Sequence, residues 1–242
     1  MKNLSKLIAG EMKRLIRYKI LPVSLVTAVL WIILFLFLSE SEAREIAPLL
    51  ILIDVAAMSI LLLGASHHLE KQEGTIRSML VMPVSYGQIL AAKAVSSLVL
   101  AVESAVVTSA ALFFIHGVTF NYAVLLLFVA IAGAAHAAIG FVLSLKSKDF
   151  TSMLGLLLGY MFVFTLPSFL FNFGVIEEKY EWFLMISPSH SASRLIISAV
   201  TGEYNAALTA AGCLYLVVLT FLLFKYAVFP MFKNDMARGN RI

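Results

Sequence analysis

The chain has 242 residues, 61% of them hydrophobic and 13% charged, with a net charge of +4 and a mean hydropathy of +0.96. Soluble domains carry about 25% charged residues, and no core that fits in 26.5 kDa could hide this much apolar side chain, so lipid must cover it. The positive balance would suit nucleic acid, but its placement along the chain speaks against that, and the single Cys213 can form no intrachain disulfide.

Residues 1–20 form the first element. Leu4, Leu7, Ile8, Met12, Leu15 and Ile16 share one helical stripe, and Lys2, Lys6, Lys13 and Arg17 gather opposite. This is the pattern of a helix lying in a membrane interface rather than of a cleavable signal. Glu11 falls inside the stripe and is expected to face protein.

Six stretches then approach the ~20 residues needed to cross ~30 Å of hydrocarbon. They are 21–38, 46–66, 94–115, 122–145, 150–173 and 205–224, and they define an all-α membrane protein with one transmembrane domain over 1–242. Pro22 and Pro48 sit in the first turns of their spans, where a missing N–H costs little. Pro167 is expected to kink the fifth. The acidic run Ser39 to Glu45 reads as a solvated turn.

The Lys and Arg residues set the orientation. Segments 1–20, 67–93, 146–149 and 225–242 hold 15 of the 18, and only Arg44, Lys179 and Arg194 lie on the other side. Both termini are therefore expected in the cytoplasm. The longest cytoplasmic connection is 67–93. Gly74 can end the arriving helix, Thr75 can cap a short helix through Met82, and Pro83 stops it. Ser85 to Gln88 fits a capping box that restarts a helix into the third span. A short helix across the cytoplasmic mouth is a surface for a partner to push on. On the outer side, 174–204 is apolar but broken at Ser187-Pro188-Ser189. Each half is too short to span, which predicts a re-entrant hairpin with Ser189 capping a helix that ends near Gly202.

Ionisable groups within spans cost ~2.5–3.5 kcal/mol on insertion scales and point to function by default. Asp54, Glu103 and His136 are three such groups. At ~1.5 Å per residue, Glu103 and His136 reach the same depth on neighbouring antiparallel spans, so a Glu103–His136 contact is expected. Asp54 is expected about 6–9 Å nearer the outside. The small residues around His136, among them Gly133, Ala137 and Gly140, predict close helix packing. Such groups can line a translocation path or simply join helices. His67-His68 with Glu70 and Glu73 does not read as a metal site, because adjacent histidines point about 100° apart on a helix. No G-x-x-x-x-G-K-[ST] phosphate loop and no G-x-S-x-G nucleophile motif occurs in the sequence, so no catalytic residue is assigned.

Three stretches resemble ABC-2 type permeases, the six-span membrane subunits of bacterial exporters. GEMKRLIRYK at the N-terminus is similar to the family's elbow helix. LEKQEGTIRSMLVMPVSYGQILAAK, 69–93, is similar to its E-x-x-x-G-T-x-x-x-L-x-x-x-P-V-S…K stretch, with Met79 where the family usually has Leu. SPSHSASRLIISAVTGEY, 187–204, is similar to the segment before the last span. The resemblance implies a permease in the bacterial or archaeal plasma membrane, dimeric with a second copy or a paralogue, carrying two cytoplasmic ABC ATPase subunits. ATP and magnesium would reside on those partners, with no cofactor on this chain. Residues 75–82 would be the coupling helix, with Glu70, Glu73, Gly74, Thr75, Arg77, Met79, Met82 and Pro83 at or near the contact. Drug and fluoroquinolone exporters include permeases of this kind, but no residue here names a cargo. The competing readings are a proton-coupled secondary transporter and an intramembrane enzyme built on Asp54, Glu103 and His136.

Overall fold

The computed structural model describes residues 2–75 and 83–239. Among them every regular element is helical. The helices are α1 (Lys2–Arg17), α2 (Ile20–Phe37), α3 (Glu40–Gln72), α4 (Tyr86–His116), α5 (Tyr122–Lys146), α6 (Phe150–Asn172), α7 (Pro188–Thr201) and α8 (Ala206–Ala237). Six of these, α2 to α6 and α8, are long and apolar enough to cross a membrane. Large apolar side chains such as Phe37, Phe114, Phe162 and Phe221 face outward, as a lipid-covered surface requires.

Local chemistry sets the helix ends. Lys19 takes a left-handed turn, with φ of 58°, and separates the amphipathic α1 from α2. Ser39 accepts from the Glu42 N–H while the Glu42 carboxylate accepts from Ser39 N–H, a capping box that starts α3 at Glu40. The run expected to be a solvated turn is therefore helical. Charge hides a helix start from any reading that tracks hydropathy. Pro48 consequently lies inside α3 rather than in its first turn. The Ser85–Gln88 capping box starts α4 as expected, and Gly74, with φ of 68°, closes the helix before it.

Three of the helices contain one π-helical turn, at Asp54–Met58, Met161–Thr165 and Phe224–Val228. The second ends at Thr165, two residues before Pro167, where a wider turn accommodates a residue that cannot donate and whose ring crowds the preceding turn.

The central helix is α5, which packs against α3, α4, α7 and α8. Its small residues allow close approach: a Cβ built on Gly133 would lie 3.0 Å from the Ala101 Cβ, and one on Gly140 would lie 3.1 Å from the Ile60 Cα. Backbone cannot yield as a side-chain tip can. Gly140→Val is expected to cost about 1–3 kcal/mol by forcing α5 off α3, measured as a lower melting temperature in detergent.

Segment 174–204 comprises a 3-10 turn at Glu178–Tyr180, a single α-helical turn at Glu181–Leu184 and then α7, which is buried among α3, α5 and α8. Its N-terminus reaches the level of His136, about 21 Å along α5 from Tyr122. The chain then returns to the end from which it entered, where α8 begins. The cap is Ser187 rather than Ser189, with Pro188 in the first turn and Gly202 closing the helix. Proline suits that position because its missing N–H has no intrahelical partner there.

Candidate functional site

At the Lys/Arg-rich end of the bundle, α1, the end of α3 and the start of α4 converge on a buried set of charges. Glu70 is 0% exposed, Glu11 1% and Lys93 5%. The Lys93 ammonium lies 2.6 Å from both Glu70 oxygens and 3.5 Å from Glu11. Arg14 pairs with Glu11 and sits 3.6 Å from Glu70, and the Ser66 hydroxyl reaches Glu70 at 3.4 Å. Two acids and two bases balance, as burial demands. A cavity of about 20 Å³ beside them, lined by Glu11, Ser66, Lys93 and Ser97, has room for one water.

The cluster has a specific topological place. Glu70 stands just before the 74–85 connection and Lys93 just after it, so one ion pair closes both roots of that connection and Glu11 with Arg14 fastens α1 to them. Two further contacts extend the tie. The Tyr18 hydroxyl donates to Glu73 at 2.8 Å, and Lys71 and His67 both approach Asp235 near the end of α8. Burial and the acceptor Glu73 raise the Tyr18 hydroxyl above its usual value and keep it a donor.

His67 and His68 turn to different partners, Asp235 and the Ser147 hydroxyl, as adjacent residues on a helix must. Of the residues expected at a partner contact, Glu73 and Pro83 are exposed and Gly74 and Thr75 half-buried. Glu70 is enclosed within the chain, against Lys93. Arg77, Met79 and Met82 lie outside the described residues.

Asp54, Glu103 and His136 occupy the middle of the bundle. Asp54 Oδ2 accepts from Trp31 Nε1–H at 2.9 Å and from the Ser104 hydroxyl, and Glu103 accepts from the Ser24 hydroxyl at 2.9 Å. Among the described residues, Asp54 Oδ1 and Glu103 Oε1 have no hydrogen-bond partner. Because Ser104 adjoins Glu103, the two acids sit at nearly one depth, not 6–9 Å apart. The correction follows from the early start of α3: Asp54 is 14 residues from Glu40, about 21 Å along the helix.

The expected Glu103–His136 contact does not form. His136 instead hydrogen-bonds the Ala132 carbonyl through Nδ1 at 2.8 Å and the Ser189 hydroxyl through Nε2 at 3.4 Å. Counting from the helix ends places the two at one height, but Gly133 stands against Ala101, which sets Glu103 and His136 about 7–8 Å apart in depth, and the 100° turn per residue aims them at different neighbours, Glu103 at α2 and His136 at α7. Ser189 also meets Tyr160 at 2.9 Å and Thr165 at 2.8 Å, and all four residues are buried.

The donor count orders this hub. His136 Nδ1–H donates to a carbonyl, so Nε2 is an acceptor and Ser189 must donate to it. Tyr160 and Thr165 then both donate to Ser189. One hydroxyl joins α5, α6 and α7.

Sequence reasoning did not reach Ser189, Tyr160 and Thr165 as a hub, nor Arg14 and Lys93 as partners of Glu70. Glu11 within an apolar stripe and Lys93 inside the apolar run after Gln88 were the available signals.

A family model described as an ABC-2 family transporter protein matches residues 39–228. No curated protein matches the chain. The match spans α3 to the π turn of α8, and so takes in the 74–85 connection, the Glu70–Lys93 pair, Asp54, Glu103 and the Ser189 hub with the inserted α7, while α1 and α2 lie outside it. With six membrane-crossing helices and a match over most of its length, the chain belongs to the ABC-2 transporter family of membrane permeases.

Proposed function

We propose that this chain is the permease subunit of an ATP-driven exporter, and that force from a separate ATPase enters it through the connection that follows Gly74. The observation that carries this reading is the Glu11–Arg14–Glu70–Lys93 cluster. A push on an untethered loop would dissipate in the loop. Here the roots of the connection are joined by a buried ion pair and fastened to α1, so displacement is passed to α1, α3 and α4 together. In this reading α1 is the elbow helix, residues 75–82 the coupling helix, and both termini are cytoplasmic. Two ATPase subunits supply ATP and magnesium, and two permease chains assemble around the path. Asp54, Glu103 and His136 are interior polar groups of that assembly, with the orphaned oxygens of the two acids available to a cargo or a proton.

The test is affinity purification in detergent with identification of the bound subunits. An ATPase subunit is expected with the wild-type chain and absent when residues 75–82 are deleted. Transport that survives the deletion, or a wild-type chain that never retains an ATPase, rejects the reading.

A further inference from the structure

A groove of about 520 Å³ runs between the start of α4 and the lower part of α8, with Leu90 and Ala91 on one wall and Phe221 and Phe224 on the other. Lys225 stands at its rim. We propose that this groove binds an anionic phospholipid of the leaflet at the Lys/Arg-rich end, its phosphate on Lys225 and the upper part of an acyl chain between the two helices.

Depth supports the placement. Lys225 is 19 residues from Ala206, about 29 Å along α8, which is the thickness of the hydrocarbon layer. The groove therefore straddles the boundary at which a lipid phosphate sits, apolar towards the bilayer and charged at its mouth. Charge identifies the lipid. The Lys225 ammonium rests 5.4 Å from the Phe221 ring and 5.1 Å from the Tyr226 ring, and the side chain is exposed. No acidic side chain lines the groove among the described residues. A phosphate would find a cation here, whereas the ammonium of a zwitterionic headgroup would find no counter-charge. Gly87, which also lines the groove, has only the Ser85 hydroxyl, at 3.9 Å, near the place where a side chain would stand, and it lies in the first turn of α4, whose N-terminus adds positive potential. Basic pockets between spans on the cytoplasmic side recognise anionic headgroups by this arrangement.

The identity of the leaflet as cytoplasmic rests on the orientation proposed above. The lipid chemistry does not, and ATPase co-purification leaves it untouched, so the two readings fail separately.

The test reconstitutes the chain in vesicles of equimolar phosphatidylglycerol and phosphatidylethanolamine, extracts it gently and counts retained lipids by native mass spectrometry. The wild type is expected to retain phosphatidylglycerol preferentially. Lys225→Gln should lower that preference roughly fivefold, the effect of one cation at the membrane surface, and Lys225→Arg should keep it. Ala91→Trp leaves the lysine in place but fills the groove, and it too should reduce the lipid retained. Melting temperatures matching the wild type show that the variants are folded. The proposal is overturned if the wild type shows no preference, if Lys225→Gln retains it, or if Ala91→Trp holds as much lipid as the wild type. Cross-linking between chains through Ala91→Cys would give the groove to a second copy and overturn it equally.

Discussion

Replacing Lys93 by methionine is expected to destabilise the fold by about 3–5 kcal/mol, the cost of leaving a buried charge without its partner. The substitution keeps the length and apolar stem of the side chain and removes only the ammonium that touches both Glu70 oxygens and Glu11. Arg14 cannot compensate for two carboxylates, being 3.6 Å from Glu70 and already paired with Glu11. The measurement is thermal or denaturant unfolding in detergent. Adding Glu70→Gln to Lys93→Met should recover part of the loss, because the double variant no longer buries an uncompensated carboxylate at that position. A Lys93→Met protein as stable as the wild type would mean that water enters the cluster freely, and the mechanical role assigned to it would lose its basis.

Ser189→Ala is expected to cost about 2–4 kcal/mol, although the change deletes one oxygen atom. Ser189 donates to His136 and accepts from Tyr160 and Thr165, so its loss leaves three buried polar groups without their partner, each worth about 1–3 kcal/mol when unsatisfied. The lower figure allows for some re-pairing. Because the hub holds α7 against α5 and α6, the variant should also release segment 174–204, read as faster proteolysis there at a temperature where the six spans remain folded. A loss below about 0.5 kcal/mol, the usual size of a surface change, would show that the hydroxyls find other partners and that the hub is incidental.

The spans were legible because hydropathy is a one-dimensional property. A stretch must match the bilayer whatever surrounds it, and α2, α5 and α6 begin and end within a residue of their expected bounds. The capping box at Ser85 and the glycine turns at 74 and 202 were legible for the same reason, since each is a contact between residues close in sequence. Where local charge opposed hydropathy, boundaries slipped. The six residues Glu40 to Glu45 are helix, and that slip misplaced Asp54 in depth and Pro48 within its helix.

What the sequence determined by itself is the class of molecule, the number of spans, the connection after Gly74 and the residues that cannot comfortably meet lipid. Which of those residues meet one another was decided only in three dimensions. Counting residues gives depth only where the helix starts and the register between helices are known, and the direction in which a side chain faces depends on how neighbouring helices rotate and cross. Glu103 therefore faces Ser24 and His136 faces Ser189, and because Gly133 stands against Ala101 the two lie about 7–8 Å apart in depth as well. Lys93 and Glu70, more than twenty positions apart, became partners because folding brought the two roots of one connection side by side, away from water, where neither charge could remain alone.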